Sequence, residues 1–289
     1  NCEYTPAGLY ELAKMDGALI LSSDAKYILY ANAQLVPDAS VTTIETGTRH
    51  RTAERVARQT GALVIAISQR RNIITIYLGQ LRYTLKDITI ILSRANQALQ
   101  TLEKYRNVLT KGLVNLTALE FEGLASLLDV AELIVRAEKV RRIATEIRRN
   151  IIELGTEGRL VSMQMEEIMS KEDEILLLIK DYGVNTDVKA HELGREQIAA
   201  LTEENLEAYN ICRFLGYSVN ANAMEIPVVP RGYRVLHRLS RLPVLVVENL
   251  VEHFTTLPQI YNATLPELDE VEGIGEARAK AIRDGLRRL

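Results

Sequence analysis

Thr46-Gly-Thr-Arg-His-Arg-Thr-Ala-Glu-Arg-Val-Ala-Arg-Gln-Thr60-Gly61 decides the fold of the first part of this chain. It reads as a helix with a loaded start. Gly47 gives a flexible approach, and Thr48 is the expected N-cap, its hydroxyl accepting a backbone N–H. Ala53, Val56, Ala57 and Thr60 recur at helical spacing and are expected to face a core. Arg51, Arg55 and Arg58 share a different face. The free amides and dipole of a first helical turn favour an anion, and Arg49, His50 and Arg51 stand there. A packing role asks for no Arg-His-Arg at a helix start, although the stretch alone also reads as a solvated basic helix.

Working outward, Asp16-Gly17-Ala18 lies upstream, between a short helical run and the apolar strand Ala18–Leu21. Alone it is a turn signal. Paired with the Gly-Thr-Arg-His-Arg helix start, it resembles the diadenylate cyclase domain, which joins two ATP molecules into cyclic di-AMP. The similarity continues through Leu-Tyr-Glu-Leu-Ala-Lys-Met-Asp-Gly-Ala (9–18), Tyr-Ala-Asn (30–32) and Ser68-Gln-Arg-Arg-Asn72. It reaches Val-Glu-Gly-Ile-Gly-Glu (271–276), so nearly the whole chain resembles the DisA-type cyclases, the DNA integrity scanning family.

That resemblance implies a role for particular residues. Asp16 would orient the attacking ribose 3′-hydroxyl and help hold Mg2+ or Mn2+. Gly17 and Ala18 would admit the nucleotide closely. Arg49, His50, Arg51 and Thr52 would cradle the triphosphate, with Thr48 adding a hydroxyl. Ser68 and Arg71 match phosphate-contacting positions, and Leu35 matches an adenine-side contact. Gln69 stands where the family varies and receives no role. By spacing alone, His50 reads as a hydrogen-bonded loop residue rather than a metal ligand. The family also carries a further helix and strand upstream, so the chain is expected to lack the family's first elements.

Composition sets outer bounds. The chain has 289 residues, 47% hydrophobic and 25% charged, room for two or three domains around at least one sizeable core. No apolar run approaches a membrane span. Cys2 and Cys212 are far apart with no metal-like spacing, which suits a reducing cytoplasm. The net charge of −3 hides an asymmetry: residues 1–110 carry 13 Lys/Arg against 9 Asp/Glu, residues 111–230 carry 13 against 21, and residues 231–289 carry 9 against 8. Local patches set the field, so a near-neutral total does not argue against nucleotide or DNA binding. The acidic middle is a poor nucleic-acid surface.

In order, the pattern predicts a short helix over 7–14, strands at Ala18–Leu21 and Tyr27–Ala31, and a loop from Leu35 to Gly47. After the basic helix come a buried strand over Ala62–Ile67 and a hairpin through Ile73–Leu78 and Leu81–Leu85. This is an α/β domain with a mixed sheet, closing near residue 105. From Lys86, Ile88, Ile91, Leu92, Ala95, Leu99, Leu102 and Tyr105 follow a helical period. Long helices are expected over 86–119, 124–153 and 157–181, a loop over Gly183–Gln197, a helix over Thr202–Leu215 and a connector from Asn220 to Pro230. Residues 106–230 thus form a helical linker, serving either as an assembly spine or as a plain structural bundle.

Residues 231–289 make a third, all-α domain. Arg241–Phe254 resembles a degenerate helix–hairpin–helix and Leu265–Ile282 a well-formed one. Gly273 and Gly275 suit a hairpin whose amides approach a phosphate, Ile274 plugs the space between the helices, and Arg278 and Lys280 flank them. Such motifs bind DNA backbone with little base reading; the alternative is protein contact alone. The resemblance further implies branched or junction DNA that suppresses synthesis, an octamer with face-to-face cyclase domains, and a cytoplasmic, nucleoid-associated location. No Walker-type loop, zinc spacing or nucleophile elbow supports rival chemistry. The competing class is a non-catalytic DNA-binding scaffold whose α/β domain only binds nucleotide.

Overall fold

A computed structural model of the chain describes residues 2–68, 73–170, 172–218, 220, 224–239 and 242–288. The chain forms two compact units, Asn1–Ile91 and Leu92–Leu289.

The first unit is mixed α/β. Strands β1 (Cys2–Glu3), β2 (Ala18–Leu21) and β3 (Tyr27–Ala33) pair in the order β1-β3-β2, and helix α1 (Pro6–Leu12) lies between the first two in sequence. Thr5 caps α1 by accepting the Gly8 N–H at 3.1 Å, and Pro6 fills the first position, where no N–H is needed. Helix α2 (Thr48–Thr60) then leads to a second sheet, β4 (Leu63–Ser68), β5 (Ile73–Leu78) and β6 (Leu81–Thr84). Every strand pairing among the described residues is antiparallel, so two small antiparallel sheets replace the expected mixed one. The reason is connectivity: α2 joins β3 to β4, which lie in different sheets, so it makes no parallel crossover.

Two local expectations change. Gly47, not Thr48, is the N-cap of α2; Thr48 is the first helical residue and no side chain caps the helix. The apolar run ending in β4 is not buried on both faces. Val64 and Ala66 pack with Ala53, Ala57 and Tyr77 in a small core, while Leu63, Ile65 and Ile67 are exposed. Alternation is the ordinary consequence of covering one face of a strand with one helix. Ala53 and Ala57 are core residues as expected; Thr60 is exposed.

The second unit is helical. Helix α3 (Ile88–Glu122) begins just before it and α4 (Leu127–Leu154) follows, its start fixed by a capping box between Ser126 and Asp129. Of the expected α3 stripe, Ile91, Ala95, Leu99 and Leu102 are buried, while Ile88 and Tyr105 are exposed. A 3-10 turn at Gly155–Gly158 leads to α5 (Arg159–Ile168), α6 (Glu174–Tyr182), α7 (Val188–Ala200) and α8 (Ala208–Phe214). The helix expected over 157–181 is therefore broken: Met169 is extended, and Asp173 starts α6 by accepting the Ile175 and Leu176 amides. The loop expected over Gly183–Gln197 is largely α7, capped by Asp187. The helix expected over 202–215 shrinks to α8, because Thr202 and Asn205 engage in local turns, and Asn210 reaches back to Asn205.

The tail continues in the same unit with α9 (Tyr233–His237), α10 (Val244–Phe254), α11 (Leu257–Asn262), α12 (Leu265–Asp269) and α13 (Glu276–Leu286), around a core that includes Leu236, Val247, Leu250, Leu268 and Ile282. Within the stretch read as a degenerate helix–hairpin–helix, residues 244–254 are one continuous helix, and Arg241 lies outside the described residues.

A buried polar network ties this tail to the earlier helices. Arg234 on α9 donates to Thr117 Oγ1 at 3.0 Å and to the Glu120 carboxylate, both on α3, and the Tyr182 hydroxyl donates to Glu120 as well. Asp181 accepts the amides of Gly232, Tyr233 and Arg234 at 2.8, 2.6 and 3.0 Å. Burial, with Glu120 nearby, pushes the Asp181 carboxyl up to about 6 against the pull of Arg234. Burial, then the charges of Glu120 and Asp181, raises the Tyr182 hydroxyl well above its ordinary value.

Candidate functional site

The first turn of α2 carries the densest chemistry of the first unit. Arg49 and His50 are its second and third residues and Arg51 follows, in the turn where a helix leaves its first amides unpaired. Asp16, on the turn between α1 and β2, meets Arg49 at 2.7 Å across 33 residues of sequence. Both are open to water, the Asp16 side chain 98% and the Arg49 side chain 71% exposed, so the pair stands ready for exchange rather than for structural support. Thr52 and Leu35 are half-buried, and Ala18 opens β2. Ser68 closes β4. Arg71 lies outside the described residues.

Gly17 has a structural reason of its own. Its N–H donates to Asn32 Oδ1 at 3.0 Å, and a Cβ there would sit 2.4 Å from the Asn32 carbonyl carbon. Asn32, at φ 56°, thus shapes the Asp16 turn, a role the pattern Tyr-Ala-Asn did not disclose. Gly17→Ala is expected to lower stability by about 1–3 kcal/mol through overpacking against backbone. A thermal melt checks this; an alanine variant as stable as the parent would show that the β2–β3 hairpin yields.

Arg55 and Arg58 are engaged within the protein rather than turned to a ligand. Arg55 donates to the carbonyls of Val41 (2.9 Å) and Ala39 (3.1 Å), while Arg58 donates to the Thr42 carbonyl and to the buried Glu54. Glu54 also takes the Thr43 hydroxyl. These contacts lace residues 39–43 to the helix.

A second cluster escaped the sequence pattern. Glu45 Oε1 accepts both the Tyr77 hydroxyl (2.8 Å) and Arg82 Nε (2.7 Å), and the His50 ring meets the Tyr77 ring edge-on at 6.5 Å between centroids. Burial works to raise the Glu45 carboxyl, but Tyr77 and Arg82 outweigh it and hold it below its usual value. Burial and the same contact push the Tyr77 hydroxyl up to about 12.

In the tail, α12 and α13 are joined by residues 270–275. Gly273 has φ 83°, which favours glycine, and Gly275 is the N-cap of α13. Ile274 is buried, and its amide donates to Val271 O at 3.0 Å. That amide is therefore spent between α12 and α13. Arg278 folds back onto the Gly273 carbonyl, Lys280 is exposed, and the acidic Glu276 opens the helix.

Comparison with known proteins places this architecture. Residues 1–81 match the family described as DisA bacterial checkpoint controller nucleotide-binding, and residues 85–224 match the DisA bacterial checkpoint controller linker region. The chain is 56% identical to the DNA integrity scanning protein DisA of Carboxydothermus hydrogenoformans, over 100% of this chain and 83% of that one. It is 53% identical to the protein of that name from Acetivibrio thermocellus (100% and 81%) and 52% identical to that from Clostridioides difficile (99% and 80%). A nucleotide-binding α/β unit followed by linker helices defines the class, and the chain belongs to the DisA family.

Proposed function

We propose that this chain is a diadenylate cyclase that condenses two ATP molecules into cyclic di-AMP and two pyrophosphates, and that its tail senses DNA. The observation that carries the reading is the exposed Asp16 carboxylate held beside Arg49 at the first turn of α2. A triphosphate seated on that turn would meet helix amides, Arg49 and Arg51, with Thr48, His50 and Thr52 alongside; Ser68 and Arg71 are the further phosphate partners that the resemblance implies. Gly17 and Ala18 sit next to Asp16, and Leu35 suits the adenine side. Asp16 would hold the ribose 3′-hydroxyl, whose oxygen attacks the α-phosphate of the second ATP while pyrophosphate leaves. Positioning and charge neutralisation do most of such work.

The donors fit Mg2+ or Mn2+. The described residues hold no cluster of three or more His, Cys, Asp or Glu, and hard divalent ions are commonly held by one or two carboxylates together with substrate phosphates. Asp16 is the carboxylate available, and the ion would add positive charge at the phosphates. Each such site takes one ATP, so two cyclase domains must face each other, with an octamer as the proposed assembly. No helix among the described residues is long and apolar enough to cross a membrane; a cytoplasmic, nucleoid-associated location goes with the DNA reading.

The proposed division is a cyclase domain over 1–105, a linker over 106–230 and a DNA-binding helix–hairpin–helix domain over 231–289. Phosphate contacts there fall to Gly273, Gly275, Lys280, Arg278 if its side chain swings off the hairpin, and the first-turn amides of α13, with Ile274 acting as the plug. Incubating the purified chain with ATP tests the chemistry: a phosphomonoesterase-resistant dinucleotide is expected, whereas binding without turnover would leave the scaffold reading. The tail is tested by Gly275→Leu, at a position where a Cβ meets no heavy atom within 4 Å; a thermal melt checks that the variant folds. The variant should lose affinity for all DNA sequences alike, because phosphate contacts position without specifying. Four-way junction DNA should inhibit the parent only, with basal turnover unchanged; equal inhibition of both would place the DNA site elsewhere.

A further inference from the structure

A carboxylate stands where an anion site should least tolerate one. Glu45 lies two residues before the α2 N-cap Gly47, within about 7 Å of chain from the helix start. It is also fixed there. Thr43 Oγ1 accepts the Glu45 N–H at 3.1 Å, Tyr77 and Arg82 share its Oε1, and the Glu45 side chain is only 11% exposed. Tyr77 is itself buried and carries His50 against its ring edge, so Glu45 and His50 grip one rigid residue from two directions. The tether gives the helix start a defined position. Its drawback is a negative charge close to the helix start, where a seated triphosphate would fall inside the screening distance of about 8–10 Å in ordinary salt.

Arg82 resolves the conflict. It comes from β6 at the far edge of the sheet and places Nε at 2.7 Å from the oxygen that Tyr77 also uses. We propose that Glu45, Tyr77 and Arg82 form a charge-neutral brace: Glu45 positions the α2 start and His50 through Tyr77, and Arg82 keeps the Glu45 field off the nucleotide's phosphates. The inference rests on the reading of the α2 start as a triphosphate site. Arg82 is a positioning residue that never touches ATP, and its effect on the nucleotide runs through the charge of Glu45.

The test measures ATP affinity by calorimetry, at roughly 50 mM and 500 mM salt, for the parent, Arg82→Met, Glu45→Gln and the double variant. A thermal melt is recorded for each. Arg82→Met is expected to weaken ATP binding about fivefold or more at low salt by baring the Glu45 charge, and much less at high salt. Adding Glu45→Gln should restore affinity to within about twofold of the parent, the coupling that a charge acting through its neighbour produces. Glu45→Gln alone should bind ATP at least as well as the parent. A loss in Arg82→Met that Glu45→Gln fails to reverse would put Arg82 on the nucleotide and overturn the proposal. Four equal affinities with altered melting would reduce the trio to a packing feature and overturn it as well. A parent that binds ATP without converting it refutes the cyclase reading and leaves the brace to be judged by the same affinities; a parent that binds no ATP refutes both.

Discussion

Asp16→Asn is expected to abolish dinucleotide formation, by about a thousandfold or more, while ATP binding stays within a few-fold of the parent. The side chain is almost wholly solvent-exposed and its Arg49 contact is an exposed ion pair, so the substitution leaves folding intact and the melting temperature unchanged. What disappears is a negative charge and acceptor for the attacking hydroxyl. Arg49→Ala removes a cation from the developing phosphate charge, worth roughly 2–4 kcal/mol or about 30- to 1000-fold in rate; Arg51→Ala belongs with it. Arg58→Ala supplies the contrast. Its guanidinium holds the Thr42 carbonyl and Glu54, so its loss should appear in the melting curve far more than in the rate. Steady-state rates and melts on the four variants decide the matter: equal catalytic losses from all of them would remove the anion site from the start of α2.

The largest effect on stability is expected from Arg234→Met. The Arg234 side chain is 4% exposed and that of Glu120 not at all, so removing the guanidinium leaves Glu120 buried without its cation, with Asp181 close by. Breaking a buried pair from one side destabilises by about 3–5 kcal/mol, a fall in melting temperature of roughly 10 °C for a unit of this size. The pH dependence has a definite sign. Asp181 binds its proton more tightly folded, near 6, than unfolded, so the folded state holds more protons between the two values. Its contribution therefore favours folding in acid and fades as pH rises through about 6. Without Arg234, which opposes that upward shift, the pKa climbs further and the decline steepens. Melts from pH 5 to pH 8 should show the variant most damaged at the alkaline end; a deficit independent of pH would mean that the lost contacts are steric.

Much of the scaffold was legible because the residues responsible are local. Gly47 and Gly61 bracket α2, and the spacing of Ala53 and Ala57 marks its inner face. The α3 stripe from Ile91 to Leu102 is equally plain. Two caps are legible in the sequence: Asp173 and Asp187 each precede a helix, and as helix starts they separate α5 from α6 and begin α7. The burial of β4 on one face only could not be read from an unbroken apolar run, since that pattern is shared by strands covered on both sides. Polar contacts across long stretches leave no periodic trace. Nothing local joins Asp16 to Arg49, and only the family resemblance did so. Glu45, Tyr77 and Arg82 had no such help: a Glu in a polar loop, a Tyr in an apolar strand and an Arg in a hairpin each look ordinary until the fold brings them together.

The Arg234–Glu120 contact spans 114 residues of sequence, and that separation has a consequence in time. A ribosome adding about 5–20 residues per second leaves some 6–23 s between the emergence of Glu120 and that of its partner. During that interval α3 can form as a helix, but Thr117 and Glu120 have no cation to receive them, and drying that part of its surface is unfavourable. The linker helices therefore reach their final packing only after the tail has been made. Synthesis that stops before α9 would yield a helical bundle with a wet seam where the finished protein has a closed one.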